Sequence, residues 1–419
     1  MPEGSSPNNS FKLPIEEFIK QLIQKTTDIE SHSDNYSIIE AIEDYLSNIE
    51  RAYRFLSKRT NRKKISSSGV EWFLDNYYVI QEASELVQED LPEDYFSKLP
   101  SIYGSSGIPR IYQIAEKITD YFEIEIVQSD LDDFLRIYQK ETALKMSELW
   151  ALPLMLRLII IEILSENVFN LIDDQHSLNE KGQKRFRNLR TDEIIARSLR
   201  TLHRYNRIDW KKFFETHAVV HHILSEDPTG TYPLMNFETR DHYRKVIEGL
   251  AENSNLGEID VARTAIKLSQ KSITSTIRAR HVGYYLIGDG RDRLRNEISY
   301  VYNFKSRLQK FFFDHKTAFY LGSIVFLTAT VVVLLTLISQ FFGEKNWQLL
   351  IIAILSLIPA SSVAVNLINS ILTTVLPPKI LPKMDFSKKI PKQFRTMVAI
   401  PALLTDKDEV DYLLRQIER

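Results

Sequence analysis

Two long uncharged runs dominate the hydrophobic pattern of this chain. The first extends from Thr317 to Phe342 and the second from Trp347 to Leu376, and Leu, Val, Ile and Phe prevail in both. A helix needs about 20 residues to cross the hydrocarbon core of a bilayer, so each run is long enough to span it. Only residues 343–346 separate the two runs. So short a connection predicts that the two helices lie antiparallel, as a transmembrane hairpin.

Positive charges flank this hairpin on both sides. Lys and Arg cluster before the first run and after the second, whereas the connection carries one Lys and one Glu. Short segments rich in Lys and Arg stay in the cytoplasm, so both termini are expected there. Pro359 is expected to kink the second helix. Asn366 and Asn369 are polar at membrane depth, which favours interhelical hydrogen bonds over a path for a substrate.

The residues before the hairpin carry apolar positions mostly at helical spacing, and strand-like alternation is scarce. Continuous helices are predicted over 71–90 and 209–225, the second capped by Asp209. Residues 147–169 are apolar enough to resemble a third span. Their charged positions would be costly in lipid and are Glu148, Arg157, Glu162 and Glu166. A buried core helix with Ser147 as its N-cap and Pro153 inside is therefore predicted.

The chain changes character after the hairpin. Prolines within 376–383 predict an extended linker. Residues 395–401, RTMVAIP, are typical of a buried strand, and 409–417 have the pattern of a helix. One strand and one helix open an α/β nucleotide-binding domain, yet they cannot bury their own faces. We therefore expect a domain that is cut short near its start.

Composition and local motifs limit the chemistry. A formal net charge of −2 gives no basic excess for nucleic acid, and the lack of cysteine excludes disulfides and thiolate chemistry. His217 and His221 stand at i and i+4 with His222 beside them, but no third ligand accompanies them. A structural or solvated role is favoured over a metal site. Residues 288–290, Gly-Asp-Gly, favour a helix-breaking turn over a phosphate loop.

Several stretches resemble the N-terminal part of bacterial cyclic β-1,2-glucan synthases, which are large inner-membrane glycosyltransferases. They occur in the order of that family and cover the chain from about residue 70 to its end. The stretches are EWFLDNYYVIQE (71–82) with DLPEDYFSKLP (90–100), SELWALPLMLRLIIIE (147–162), the segment from FFETHAVVHH to KVIEGLA (213–251), HVGYYLIGDGR (281–291), and the segment from LPKMDFSKK to DEVDYLL (381–414).

This resemblance implies transfer of glucose from UDP-glucose onto a protein-linked β-1,2-glucan that is later closed into a ring. The family's transferase domain begins where this chain has 395–414, and its carboxylates for the divalent metal and the sugar nucleotide come later. No catalytic, cofactor-binding or metal-binding residue is therefore expected in this chain. The candidates of unknown role in the matching stretches are Trp72, Asp75, Asn76, Trp150, Arg157, Asp227, Arg240, Tyr243, Tyr284 and Arg291.

These observations give a mostly α fold with a defined order of parts. The expected parts are variable N-terminal helices and a basic linker (1–69), a cytoplasmic helical domain (70–315), two transmembrane helices (317–342 and 347–376), a Pro/Lys-rich linker (377–394) and the start of a truncated α/β glycosyltransferase domain (395–419).

Two functions remain open at this point. The first is an N-terminal, membrane-anchoring fragment of a cyclic β-1,2-glucan synthase that is inactive alone. The second is a non-enzymatic membrane protein whose helical domain binds a partner or ligand. The expected partners are the lipid bilayer and, for the first function, the glucan chain or the rest of the synthase. The expected location is the bacterial inner membrane, with a multi-pass topology.

Overall fold

The computed structural model of the chain describes residues 13–26, 29–30, 38–60, 68–90, 98–103, 107–168, 185–186, 188–271, 277–302, 307, 315–343, 345–375, 381–387, 389–396 and 407–417.

The described chain is predominantly α-helical, which confirms the predicted fold class. Two short strands, β1 (Ile29–Glu30) and β2 (Ser101–Ile102), form an antiparallel pair. The helices are α1 (Ile15–Thr26), α2 (Ile38–Thr60), α3 (Ser68–Asp75), α4 (Tyr77–Asp90), α5 (Arg110–Tyr121), α6 (Gln128–Glu141), α7 (Met146–Val168), α8 (Thr191–Tyr205), α9 (Trp210–His217), α10 (Val219–Ser225), α11 (Phe237–Glu252), α12 (Glu258–Lys271), α13 (Gly283–Leu286), α14 (Arg291–Glu297), α15 (Lys316–Phe341), α16 (Asn346–Val375) and α17 (Lys407–Ile417).

Helix α7 is the centre of the soluble part. It is buried on almost every side, because it is apolar all round and helices α2, α4, α5 and α8 pack against it. Its charged side chains find partners. Arg110 of α5 donates two hydrogen bonds to the Glu148 carboxylate, and the Tyr112 hydroxyl donates to Glu162 at 2.6 Å. The predicted core helix is confirmed, and Pro153 lies inside it.

The predicted N-cap of α7 is wrong by two positions. The helix begins at Met146, and the carbonyl of Lys145 accepts the first helical hydrogen bond from Leu149 N at 3.0 Å. The Glu148 carboxylate reaches back to accept from Lys145 N at 2.9 Å. A buried carboxylate thus satisfies a free donor at the helix start, where the sequence predicted capping by the hydroxyl of Ser147.

Two predicted continuous helices are each broken in the structure. Asn76 separates α3 from α4, and its side-chain amide donates to the carbonyl of Trp72 at 2.9 Å. This local hydrogen bond competes with helix continuation. Ala218 separates α9 from α10 in an extended conformation, with Gln139 Nε2 on the carbonyl of His217 at 2.9 Å. The predicted Asp209 cap is confirmed, since its carboxylate accepts from Lys212 N at 3.1 Å.

Helix α12 organises a second group of helices. Helices α10, α11, α13 and α14 pack against it, and its apolar positions Val261, Ala262, Ala265 and Ile266 are buried among them. Helix α12 ends at Lys271, and a separate 3₁₀ turn covers Ile277–Arg280.

Helices α15 and α16 are long and apolar enough to cross a membrane, with mean hydropathies of 2.6 and 2.2. They pack against each other, and the Tyr320 hydroxyl near the start of α15 donates to Asn369 Oδ1 near the end of α16 at 3.1 Å. This contact makes the pair antiparallel, and it agrees with the interhelical role favoured for Asn369. Helix α16 continues through Pro359.

Residues 381–387, here called the return segment, run back from the hairpin onto the soluble helices. Asn236 N donates to the Lys383 carbonyl at 3.0 Å, Asp385 N donates to the Leu234 carbonyl at 2.8 Å, and Met384 packs against the core. The sequence predicted only an extended linker here. Helix α17 confirms the helix predicted over 409–417. Most of the predicted strand, 397–401, lies outside the described residues.

Candidate functional site

A cleft of about 540 Å³ opens beside the central helix. Side chains from α4, α7, α9, α11 and the end of α8 line it. Pockets of roughly 300–1,000 Å³ typically hold small molecules, so the size suits a ligand. Of the sequence-derived candidates, Trp150 and Arg157 line this cleft.

Aromatic rings form much of the wall. Trp150 stacks on Phe214 with ring centroids 4.4 Å apart. The Trp210 indole donates to the Tyr205 carbonyl at 2.9 Å, and the Arg157 guanidinium lies 5.4 Å from its ring centroid. These contacts hold the rings in fixed positions, so the wall is formed before any ligand arrives.

Charged side chains also line the cleft. The lining set contains three cationic residues and three anionic residues, so it carries no excess charge of either sign. They are Arg157, Arg244, Lys245, Glu82, Asp241 and Glu248. Burial raises the pKa of the Glu248 carboxyl above its ordinary value, and Glu252 adds to this.

Arg244 of α11 is the most buried charge in this wall, with a side chain that is 1% exposed. Its guanidinium carbon lies 5.1 Å from the ring centroids of both Phe214 and Phe237. Nη1 donates to Glu215 Oε1 at 3.1 Å. Among the described residues, Nε and Nη2 have no hydrogen-bond partner, although Nη2 lies 3.5 Å from Asp241 Oδ1. Arg244 therefore retains donors at the cleft.

Behind Arg244 lies a buried polar network centred on Glu215. Arg240 donates to both carboxylate oxygens of Glu215, at 2.8 and 2.9 Å, and also to the carbonyl of Met235. Burial acts to raise the pKa of Glu215, but Arg240 and Arg244 outweigh it and hold the pKa below its ordinary value. Burial lowers the pKa of His221 to about 4, so this imidazole is neutral at pH 7. The network fixes Arg244 and also braces the segment that receives the return segment.

The Asp227 candidate anchors a loop. Its buried carboxylate accepts from Val282 N at 2.8 Å, from His281 Nδ1 at 2.9 Å and from Thr231 N at 3.2 Å. His281 Nε2 in turn lies 3.3 Å from the Tyr243 hydroxyl. Burial raises the pKa of Tyr243 to about 12. These contacts give Asp227 the role of holding the loop and Tyr243 a role in core packing.

The Gly-Asp-Gly turn has a packing explanation. A side chain at Gly290 would place its Cβ 2.5 Å from the ring of Tyr284, and one at Gly288 would place it 2.9 Å from the Tyr284 carbonyl oxygen. Gly290 N donates to that same carbonyl at 3.0 Å. Arg291 follows at the start of α14 with an exposed side chain. The glycines permit close approach to Tyr284, as the predicted turn requires.

The remaining candidates lie at the junction of α3 and α4. Trp72 is 42% exposed, Asp75 is exposed, and Asn76 forms the break between the helices. The structure therefore places the ten candidates in separate groups and brings only Trp150 and Arg157 into the cleft.

The three histidines diverge. His217 Nε2 lies 2.7 Å from Asp132 Oδ1, and His221 Nδ1 lies 3.2 Å from the Tyr232 hydroxyl. His222 Nε2 donates to the Thr216 carbonyl at 2.9 Å. The carbonyl can only accept, so the proton there belongs to His222. The break at Ala218 turns the predicted i, i+4 pair apart. Among the described residues, no group of three or more His, Asp or Glu is placed to hold a metal ion.

Sequence reasoning missed most of the cleft. Asp241, Arg244, Lys245 and Glu248 stand at i, i+3, i+4 and i+7 and therefore share one face of α11. Such a spacing was visible in the sequence. A charged helix face is ordinarily solvated, however, so the pattern gave no reason to expect a buried arginine there.

Comparison with known proteins adds a distant relative. The chain is 22% identical to the "Cyclic beta-(1,2)-glucan synthase NdvB" of Rhizobium meliloti (strain 1021), over an alignment of 445 positions that covers 88% of this chain. The resemblance to cyclic β-1,2-glucan synthases is confirmed. The aligned part is only 16% of that synthase, so this chain spans a small share of its relative's length. No family model matches the chain.

The similarity and the two apolar helices together support a membrane protein related to glucan synthesis. They do not assign a role to the cleft.

Proposed function

We propose that this chain corresponds to the N-terminal, membrane-anchoring part of a cyclic β-1,2-glucan synthase. The similarity to the R. meliloti synthase over 88% of the chain carries the proposal. In it, the helical part lies in the cytoplasm of a bacterial cell, the α15–α16 hairpin crosses the inner membrane, and the chain returns to the cytoplasm. The family reaction is glucosyl transfer from UDP-glucose, and this part anchors and positions the synthase without transferring glucose by itself.

The return segment supports this topology. Lys383 and Asp385 pair with Leu234 and Asn236, which precede the hairpin in sequence. Two segments that pair through backbone hydrogen bonds lie on the same side of a membrane. An antiparallel helix pair between them meets that condition, because it leaves the bilayer on the side from which it entered.

A labelling experiment tests the topology, and the absence of cysteine makes it simple. Single variants Lys345→Cys, Lys267→Cys and Tyr412→Cys place a thiol in the hairpin connection, on α12 and on α17, all at exposed positions. A membrane-impermeant maleimide is expected to label Lys345→Cys from outside spheroplasts. It is expected to label the other two only after permeabilisation. External labelling of Lys267→Cys or Tyr412→Cys would overturn the proposed arrangement.

A transfer assay tests the catalytic part of the proposal. The purified chain is incubated with radiolabelled UDP-glucose and Mg²⁺ or Mn²⁺, and a full-length cyclic β-1,2-glucan synthase serves as positive control. No incorporation into glucan is expected from the chain alone. Robust incorporation would contradict the role assigned to it.

The cleft favours one alternative, a non-enzymatic membrane protein whose helical part binds a partner or ligand. A transferase-coding region in frame beyond codon 419 supports the synthase. An independently expressed product without such a region supports the alternative.

A further inference from the structure

We propose that the cleft between α7 and α11 binds a segment of a neutral oligosaccharide, namely the β-1,2-glucan chain. The neutral, polyhydroxylated character of the ligand follows from the cleft itself, and the identity of the sugar rests on the proposed function. The cleft would then hold part of the glucan while the synthase works on it.

The wall has the composition that sugars require. A pyranose ring presents C–H groups on its faces, which pack on aromatic rings, and hydroxyl groups at its edge, which need polar partners. Trp150, Trp210 and Phe214 supply the rings, and each is held by contacts with its neighbours. A volume of about 540 Å³ accommodates a short stretch of sugar residues rather than a whole polysaccharide.

The charge balance selects against a nucleotide sugar. A nucleoside diphosphate needs an excess of cations, a bound metal or a helix N-terminus to hold its phosphates. The cationic side chains at this cleft are matched by Glu82, Asp241 and Glu248. A neutral ligand meets no net repulsion from such a surface. Its hydroxyl groups can accept hydrogen bonds from the cationic side chains and donate hydrogen bonds to the anionic ones.

Buried polar atoms without hydrogen-bond partners are an independent observation that supports a sugar ligand. Among the described residues, buried atoms on cleft-lining side chains that have no hydrogen-bond partner include Arg244 Nε, Tyr205 Oη, Asn206 Oδ1 and Asp241 Oδ1, the last of which lies 3.5 Å from Arg244 Nη2. Buried polar atoms are nearly always satisfied, so this group calls for a partner. It contains a donor, acceptors and a hydroxyl. A sugar hydroxyl both donates and accepts, and it complements such a mixture.

Arg244 is the residue on which binding depends most in this proposal. Its guanidinium is fixed by Glu215 and by two phenyl rings, so it loses no side-chain entropy when a ligand hydroxyl accepts from Nε. Hydrogen bonds from charged donors are stronger than those between neutral groups.

Calorimetric titration of the full chain in detergent tests the proposal. The probes are linear β-1,2-linked glucooligosaccharides, β-1,4-linked glucooligosaccharides of the same length, and UDP-glucose. Saturable binding of the β-1,2-linked probe is expected, with weaker binding of the β-1,4-linked probe and of UDP-glucose.

Two variants locate the binding site. Arg244→Met removes the donors and is expected to weaken binding at least about tenfold. Because Arg244 also pairs with Glu215, its loss could unfold the protein, so Leu154→Trp serves as a second variant. Leu154 lines the cleft and is not a member of the polar network, and a larger side chain there is expected to fill the cleft. The matched control is Lys267→Met on α12, an exposed lysine outside the cleft, and it is expected to bind normally.

The outcomes separate this inference from the proposed function. Binding of the β-1,2-linked probe that survives Leu154→Trp in a folded protein overturns the cleft as its site. UDP-glucose binding tighter than glucan binding overturns the neutral ligand, and no binding of any probe overturns the site altogether. None of these results bears on the maleimide labelling pattern, which tests the membrane arrangement independently.

Discussion

The ion pair between Arg110 and Glu148 is a place where one substitution should strongly destabilise the helical part. The two side chains are 3% and 0% exposed, and both guanidinium-to-carboxylate hydrogen bonds are present. Burial acts to lower the pKa of Arg110, but the Glu148 carboxylate outweighs it and raises the pKa. The pair joins α5 to the start of the central helix, so its loss affects the packing of both.

The perturbation is Glu148→Leu, which leaves the Arg110 charge buried without its partner. Removing one member of a buried ion pair costs about 3–5 kcal/mol, largely because the other charge stays desolvated. For a domain of this size, about 1 kcal/mol shifts the Tm by roughly 2–4 °C. The expected decrease in Tm is therefore on the order of 6–20 °C.

A second variant separates the buried charge from the lost contact. In Arg110→Met/Glu148→Leu, two apolar side chains of similar volume replace the pair, and such replacements are often neutral or stabilising. The double variant is expected to recover most of the Tm that Glu148→Leu loses, apart from the share of the hydrogen bond from Lys145 N, which both variants lack and which contributes about 1 kcal/mol. The matched control is Asp133→Asn, since the Arg136–Asp133 pair is 68% and 59% exposed. An exposed pair contributes about 0–1 kcal/mol, so this variant should keep its Tm within a few degrees.

The measurement is thermal unfolding in detergent, followed by far-ultraviolet circular dichroism at a fixed scan rate. The reasoning fails if Glu148→Leu loses no more than Asp133→Asn. It also fails if the double variant is as unstable as the single one, because the damage would then come from packing or from the lost Lys145 N hydrogen bond instead of an unpaired charge.

Three further substitutions give expected outcomes. Burial raises the pKa of Glu258 to about 7. Between about pH 4.3 and 7 the folded state therefore holds a proton that the unfolded state has released, so the free energy of unfolding should fall as the pH rises through this range. Glu258→Gln should remove this dependence, seen as a Tm advantage over the wild type that grows between pH 5 and pH 8; an equal difference at both pH values would contradict it. Asp227→Ala leaves the buried Val282 amide without its acceptor and should lower the free energy of unfolding, measured by urea titration, by about 1–3 kcal/mol. A smaller decrease would show that water replaces the carboxylate. Asn369→Leu removes the hydrogen bond from Tyr320 and should weaken the helix pair by only about 0.6 kcal/mol. Membrane insertion, measured by resistance to carbonate extraction, should therefore be unchanged. Failure to insert would assign Asn369 a larger role.

Local pattern was sufficient to predict the two long apolar helices, the central helix and the fold class. Continuous apolar runs predicted α15 and α16, because a span must be apolar over its whole length and contains that information within itself. The same reasoning separated α7 from the spans, since its charges, Glu148 among them, could be accommodated only where protein partners exist.

The tertiary structure alone decided which partners these charged side chains contact. The sequence contains no sign that Arg110 would meet Glu148, 38 positions away, or that Lys383 would pair with Asn236 across the hairpin. The helix breaks at Asn76 and Ala218 depend on side-chain hydrogen bonds that helical periodicity does not record.

The cleft is the clearest example of this division. The spacing of charges along α11 determines that Asp241 and Arg244 share a face, but the same spacing suits a solvated helix equally well. Only the approach of α9 places Phe214 and Glu215 beside Arg244, in addition to Phe237 of α11 itself, and Nε is left without a partner among the described residues. Burial depends on contacts between residues that are distant in sequence, and one sequence read by its local periodicity does not reveal them.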